Sequence, residues 1–288
     1  MKKIVAVIVT YNRLALLQKA IKCLRNQTRQ LDDIIVVNNS STDGTREWLE
    51  AQSDLITITQ DNLGGSGGFF TGIEEALKRQ YEWIFLADDD GEPSLDAIEL
   101  LEAKADNGKY SAVCCSVISN LNSDKLAFSL PKFRGNKQLL LGANKRVTDY
   151  DELLQSANSE GTYPLGSFFN GCLLSAKAIS ICGNVNKSMF ISGDEIDMMW
   201  RLNKYLPVVT LVEAKHYHPP SVDRELPVWR RFYQLRNNIY NIRHHYNYKS
   251  LRLILTVVRN LDLLTMDDGL KYYFKAIYDG FFGKLGKL

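Results

Sequence analysis

Four short apolar runs constrain the fold more than any other feature of the chain. They are Ile4-Val5-Ala6-Val7-Ile8-Val9, Ile34-Ile35-Val36-Val37, Ile56-Thr57-Ile58 and Trp83-Ile84-Phe85-Leu86. Continuous runs of this kind, rich in β-branched residues, read as strands buried on both faces. Between them lie helical stretches: residues 14–26, with apolar positions at 14, 17, 20, 21 and 24, then about 44–52, then roughly 69–80. A β-α-β-α-β-α-β alternation predicts an α/β fold with a Rossmann-like, mostly parallel central sheet flanked by helices on both faces.

The strand ends carry the chemistry. The first run stops at Thr10-Tyr11-Asn12-Arg13, the second at Asn38-Asn39-Ser40-Ser41-Thr42-Asp43-Gly44, the fourth at Asp88-Asp89-Asp90-Gly91. In open α/β sheets ligands bind at this edge. Thr42 or Asp43 is placed to cap the helix that follows. Three adjacent carboxylates repel one another, and two readings of them stay open. One is an acidic turn or helix cap ahead of Pro93 and Ser94. The other is a divalent-cation site: Mg²⁺ and Mn²⁺ prefer carboxylate oxygen and often carry nucleotide phosphates as further ligands. Asp88 and Asp90, two apart on extended chain, point the same way and are the ligand candidates. Asn62-Leu63-Gly64-Gly65-Ser66-Gly67-Gly68 reads as a flexible loop leading into a helix. It matches neither the P-loop nor the dinucleotide pattern, but its glycines would let backbone approach a ligand closely.

Past residue 94 the pattern becomes mixed. A helix is expected over 96–105, a strand over 112–118, and a polar, weakly periodic stretch over 119–166. That stretch holds a candidate hairpin, Gln138–Leu141 with Arg146–Thr148. A strand at 168–175 and a helix near 176–182 follow. Asp194, Glu195 and Asp197 then open a helix, where the macrodipole favours carboxylates; plain capping by acids explains them as well. A last strand at 208–212 leads to His216-Tyr217-His218-Pro219. The two imidazoles share one face and read as surface histidines unless a carboxylate site elsewhere recruits one as a ligand.

The formal net charge of +2 over 288 residues hides an asymmetry. Residues 1–223 hold 23 Lys+Arg against 28 Asp+Glu, and residues 224–288 hold 12 against 5. The basic end suggests an anionic partner, a phosphate-bearing ligand or a membrane surface, and no nucleic-acid motif accompanies it. From Pro227 onward the chain reads as amphipathic helices. Leu251, Ile254, Leu255, Val258 and Leu261 form one apolar face, and Leu270 to Phe282 is a second helix with Lys271, Lys275 and several aromatics. Such helices suit packing on the main domain, an anionic membrane or an oligomer contact. The expected division is a catalytic domain at 1–222 and a basic helical extension at 223–288. Five cysteines without metal spacing fit a reducing compartment. No run reaches the ~18 apolar residues of a membrane span. A cytoplasmic protein is expected, with a peripheral place on the inner face of the cell membrane open to it.

Val9-Thr10-Tyr11-Asn12-Arg13, Val37-Asn38-Asn39-Ser40-Ser41-Thr42-Asp43-Gly44-Thr45 and Ala87-Asp88-Asp89-Asp90, in that order and spacing, resemble family 2 glycosyltransferases of the GT-A fold over roughly residues 3–220. Asn62 to Phe69 followed by the three Asp, with Tyr233-Gln234-Leu235-Arg236-Asn237 later, is similar to the galactofuranosyltransferase branch, which uses UDP-galactofuranose. The resemblance implies that Thr10, Tyr11, Asn12, Asn39, Gly64, Gly65, Asp88 and Asp89 serve the nucleotide-sugar donor. It implies that Asp88 and Asp90 with His218 hold Mn²⁺ or Mg²⁺, with His216 as the fallback. Glu195 would be the catalytic base, ahead of Asp194; Gly193-Asp194-Glu195 departs from the family pattern, which often has Asp at the base position. Arg236, like Arg230 and Arg231, would bring positive charge to the diphosphate or to a lipid-linked or polysaccharide acceptor. The implied activity is inverting, metal-dependent transfer to a growing cell-surface glycan. Two alternatives are the same chemistry with dTDP-rhamnose or a UDP-hexose, and a non-catalytic nucleotide-sugar-binding scaffold. The carboxylates at 88, 90 and 195 argue against the scaffold.

Overall fold

The computed structural model describes residues 2–105, 108–134, 137–138, 146–220 and 226–288. The first half alternates as predicted: β1 (Ile4–Thr10), α1 (Leu14–Arg25), β2 (Asp33–Asn38), α2 (Thr45–Glu50), β3 (Leu55–Thr59), α3 (Gly64–Lys78) and β4 (Trp83–Asp88). Then come β5 (Glu92–Pro93), α4 (Ala97–Ala105), β6 (Ala112–Ser119), β7 (Lys125–Pro131), β8 (Phe133–Arg134), β9 (Lys137–Gln138), β10 (Arg146–Asp149), α5 (Tyr150–Ser156), β11 (Thr162–Pro164), β12 (Asn170–Ser175) and α6 (Ala176–Cys182). The chain ends with α7 (Asp194–Tyr205), β13 (Val208–His218), α8 (Val228–His245), α9 (Lys249–Arg259) and α10 (Gly269–Phe282).

The main sheet runs β10-β7-β6-β12-β4-β1-β2-β3. The β4-β1-β2-β3 half is parallel. β12 then inserts antiparallel between β4 and β6, and β13 pairs parallel with β6. Every residue of β1 and β6 is buried, as a strand covered on both faces must be. One core packs α1 and α4 against Ile4, Ala6, Ile8 and Phe85. The other packs α3, α6 and α7 against Val5, Val7, Ile84 and Leu86. A smaller core built on Phe232, Tyr233, Leu235 and Ile239 of α8 takes in Tyr273 and Ala276 of α10.

Three expectations change. The glycine-rich stretch from Gly64 is the first turn of α3, not a loop. Tertiary packing overrides the poor helix propensity of glycine here. A Cβ on Gly68 would stand 2.3 Å from Val9 Cγ1, and one on Gly72 2.3 Å from Val7 Cγ1, so only glycine lets the helix lie this close to β1. The last strand, expected over 208–212, runs on to His218. In the 119–166 stretch, β10 pairs with β7; of its expected partner Gln138–Leu141, Gln138 pairs with Phe133 of β8 and 139–141 lie outside the described residues, as does the expected 222/223 boundary.

Candidate donor and metal site

β1, β2 and β4 are in parallel register, with Thr10 beside Asn38 and Val9 beside Asp88. Their C-terminal ends therefore open onto one edge. Thr10 is buried, and its Oγ1 donates to Asp89 Oδ2 at 2.8 Å. Asn39 is buried too: its N–H donates to Thr10 O at 3.0 Å, its Nδ2 to Gly64 O at 3.1 Å, and its Oδ1 accepts from Gln60 Nε2 at 2.9 Å. Gly64 has φ +73°, and a Cβ there would meet Phe190 O at 2.1 Å. The Ser66 N–H donates to that same carbonyl at 3.3 Å. One hydrogen-bonded chain thus runs from the carboxylates through β1 and β2 to α3 and the loop before α7. Gly65 leaves open space where a side chain would stand, and Tyr11 is 47% exposed; both are free to meet a ligand. Asn12 faces the neighbouring loop instead: its Oδ1 accepts from Thr42 N at 2.7 Å. Asp43 serves two helices, accepting from Leu14 N at 3.0 Å and Thr45 N at 3.2 Å.

The three carboxylates divide their labour. Asp89 turns inward to Thr10 and to Arg13 Nη1 at 3.1 Å. Asp90 shares Arg13 with it, at 2.9 Å, and also joins Asp88 and His218, where one ligand atom from each of the three lies within 4.8 Å of the others. Octahedral Mg²⁺ with bonds near ~2.1 Å needs neighbouring donors about 3 Å apart and opposite ones about 4 Å apart, so this oxygen–oxygen–nitrogen set fits a hard divalent cation. His218 Nε2 stands 2.9 Å from Asp90 Oδ1. Its Nδ1 is 2.6 Å from the acceptor-only Pro219 O. That carbonyl holds a proton on Nδ1, so Nε2, which here donates to Asp90, is the nitrogen that would lose its proton to a cation, the usual support for a metal-bound imidazole.

Burial, then Asp90 and Asp89, push the Asp88 carboxyl up to about 8. Burial also works against Asp90, but the hydrogen bond from His218, its charge and that of Arg13 bring it below the ordinary carboxylate range. Such opposed shifts within one triad are characteristic of functional sites. His216 is not in the triad. It is fully buried, both ring nitrogens lack a partner among the described residues, and burial holds its pKa down to about 3. A Cβ on Gly91 would stand 2.0 Å from His216 Nε2, so the ring props the turn that carries the carboxylates.

The acidic motif opens α7. Glu195 Oε2 accepts from Gly193 N at 2.8 Å. Burial and the adjacent Asp194 raise the Glu195 carboxyl well above its usual range; burial raises Asp194 too, while a hydrogen bond from Glu195 lowers it. The pair therefore favours holding one proton between them, on Glu195. Asp194 is nearly sealed at 3% exposure, and Glu195 is the less buried of the two. The loop ahead of them is unusual: Phe190, Ser192 and Gly193 all have positive φ. α8 clamps it. Asn237 Nδ2 faces Met189 O at 3.1 Å, Ile191 O at 3.0 Å and Ser192 O at 2.6 Å, and Asn241 Nδ2 donates to Gly193 O at 2.8 Å.

Arg236 corrects an expectation. Its guanidinium is 2% exposed and donates to Met189 O at 3.0 Å and Gly286 O at 2.7 Å. It ties the loop to the C-terminus and faces no open cleft. Arg231 is spent on Asp262 at 2.8 Å. The arginine that does reach the carboxylates is Arg13, 2.9 Å from Asp90 and 3.1 Å from Asp89. It stands in the first motif, where sequence alone assigns it no role. Asp197, third of the acidic group, pairs with Arg201 at 2.9 Å and His245 at 2.7 Å and joins α7 to α8.

Comparison with known proteins agrees with this site. Residues 5–152 match the family model described as glycosyl transferase family 2. The chain is 34% identical over 233 residues to "Galactofuranosyltransferase GlfT1" of Mycobacterium tuberculosis, covering 79% of this chain and 73% of the relative. It is 32% identical over 228 residues to the protein of the same name in Mycolicibacterium smegmatis, covering 77% and 73%. Among solved structures, GalNAc-T7 with UDP, GalNAc and Mn²⁺ superposes with TM-score 0.68 at 11% identity, over 100% of this chain and 55% of that one. S. aureus TarS 1–349 with UDP-GlcNAc superposes with TM-score 0.62 at 12% identity, over 96% and 80%. The chain therefore belongs to glycosyl transferase family 2: it is a glycosyltransferase of the GT-A fold, near the galactofuranosyltransferase branch.

Proposed function

We propose that the protein is an inverting, metal-dependent galactofuranosyltransferase that moves galactofuranose from UDP-galactofuranose to a hydroxyl of a growing, lipid-linked cell-surface glycan. The observation that carries this reading is the meeting of Asp88, Asp90 and His218 at the edge where Thr10, Asn39 and Gly64 are already hydrogen-bonded together. The GlfT1 relatives supply the donor sugar. Asp88, Asp90 and His218 would hold Mn²⁺ or Mg²⁺, which supplies charge neutralisation at a departing diphosphate. Tyr11, Asn39, Gly64 and Gly65 line the approach for uracil, ribose and diphosphate, and Arg13 orients Asp89 and Asp90. Glu195, in its ionised form, takes the proton from the acceptor hydroxyl as that oxygen attacks the anomeric carbon. Asp194 sets the proton affinity of Glu195 from behind. A single in-line displacement inverts the anomeric centre and needs no covalent nucleophile. The work would take place at the inner face of the membrane, where a lipid-linked acceptor is presented.

A UDP-hexose donor is the second reading. It is favoured by 32% identity over 114 residues, 38% of this chain, to a β-1,3-glucosyltransferase of Campylobacter jejuni named for an undecaprenol-linked acceptor. One experiment separates the two: thermal shift with Mn²⁺ and a panel of UDP- and dTDP-sugars, followed by transfer from the stabilising donor to lipid-linked acceptors of defined terminal sugar. Stabilisation and transfer with UDP-galactofuranose support the first reading. A shift only with UDP-glucose or dTDP-rhamnose overturns it.

A further inference from the structure

The C-terminal helices carry apolar surface that their own core does not use. α8, with α10, supplies that core, and α9 packs on it through Leu253 and Val257. No residue of α9 is buried. At 100° per residue, Leu251, Ile254, Leu255 and Val258 fall on one arc turned away from Leu253 and Val257, and Arg252 and Arg259 fall on the next. Leu251, Ile254 and Val258 are 40%, 61% and 54% exposed. α10 repeats the design. Tyr273 and Ala276 face the core, while Leu270, Phe274, Tyr278 and Phe281 form an outward stripe at 64%, 59%, 50% and 45% exposure. Lys271 and Lys275 stand at its margin. The two helices touch where Tyr273 Oη donates to Val257 O at 2.9 Å.

A soluble monomer seldom leaves two such stripes on one appendage. An apolar stripe bordered by Lys and Arg, on a helix too short and too charged to span a bilayer, suits the plane of a lipid headgroup layer. Among the described residues no helix is long and apolar enough to cross a membrane. Charge selects the occupant. Residues 224–288 carry 12 Lys+Arg against 5 Asp+Glu. Of the acids, Asp262 is paired with Arg231 and Asp279 with Lys275; Asp267 and Asp268 sit in the turn between the two stripes. A second copy docked by the same face would crowd two sets of Arg252, Arg259 and Lys271 into one contact, whereas anionic lipid neutralises them.

We propose that the outward stripes of α9 and α10 are docking surfaces for the headgroup layer of an anionic membrane. These surfaces owe nothing to the donor or metal assignment and go beyond it. The test is flotation of the full chain with vesicles of phosphatidylcholine alone and of phosphatidylcholine mixed with phosphatidylglycerol. The expected result is binding to the anionic vesicles only, weakened by added salt. Ile254→Ser with Val258→Ser, and separately Phe274→Ser with Phe281→Ser, should each weaken binding about tenfold or more, with the urea midpoint unchanged because these side chains are exposed. Arg252→Gln with Lys271→Gln should reduce the salt dependence. Asp88→Asn, as a control, should float like the parent, so failure of the donor reading cannot imitate failure of this one. The proposal is overturned if the chain ignores both vesicles or if neither Ser pair alters flotation. It is also overturned if light scattering shows self-association that the Ser pairs abolish while no vesicle is bound, since that result gives the face to a second copy.

Discussion

Replacing Asn237 with Ala tests how the base loop is held. The carboxamide is fully buried. Its two N–H groups serve three carbonyls, Met189 O, Ile191 O and Ser192 O, and its Oδ1 accepts from Arg236 Nε at 2.9 Å. Removing it breaks about two neutral hydrogen bonds worth ~1 kcal/mol each and one charge-assisted bond worth ~2 kcal/mol. The expected loss is about 3–5 kcal/mol, a large share of the ~5–15 kcal/mol that holds a typical domain. Asn241→Ala is the internal control. It breaks one bond, to Gly193 O, and removes an Oδ1 that has no partner among the described residues, so about 1 kcal/mol is expected. Urea unfolding monitored by tryptophan fluorescence measures both. Because Phe190, Ser192 and Gly193 occupy left-handed conformations, the unclamped loop should relax away from the geometry that presents Glu195. In the folded fraction kcat should therefore fall well before KM rises. Asn237→Asp should be worse than Ala, since it turns an oxygen on three carbonyl oxygens. Equal destabilisation by Asn237→Ala and Asn241→Ala, or an Asn237→Ala loss below about 1 kcal/mol, would refute the clamp.

Four further outcomes follow from the site. Asp88→Asn and Asp90→Asn should each abolish the thermal stabilisation by Mn²⁺ with UDP and lower transfer by at least about 100-fold. In the parent, calorimetric Mn²⁺ affinity should climb with pH until about 8 and level off above it, because Asp88 holds its proton up to that pH and must release it to bind. For Glu195, whose proton is held above the usual carboxylate range, the acid limb of the kcat profile should lie above that range; Glu195→Gln should remove activity at every pH, and equal loss in Asp194→Asn with retention in Glu195→Gln would reverse the two roles. His216 is held neutral at about 3 against 6.5 when unfolded. Below 6.5 the unfolded chain takes up the proton first, so stability should fall as pH drops through that value. His216→Phe should flatten the decline, and an unchanged slope would place it elsewhere.

The sequence made the near half of the site legible and left the far half dark. Asp88, Asp90 and His218 came together in the sequence through the family resemblance, since a row of carboxylates also suits an acidic turn and a HxH pair also suits a surface, while the parallel strands were plain from their apolar runs. The first turn of α3 was hidden, since glycines that fit against Val7 and Val9 look locally like a loop. The antiparallel insertion of β12 and the reach of β13 to His218 depend on pairings with residues far away in the chain. Arg13 meets carboxylates 76 and 77 residues on, and Asn237 meets carbonyls 45 to 48 residues back; no periodicity records either contact. Arg236 was misplaced for the same reason, because a cation near a site and a cation bracing its wall look alike until burial is known.

The clamp also bears on which parts of this chain can change independently. The family match covers residues 5–152, yet the proposed base at 195 is presented by a loop that α8 grips from 237 and 241. A chain ending after β13 would keep all three proposed cation ligands and lose the grip on its base. With Glu195 as the proposed base, the C-terminal helices would be working parts of the enzyme, and a substitution at 237 would have to be answered at 189–193. Hybrids with related glycosyltransferases should have to exchange both segments together, however freely the nucleotide half is traded.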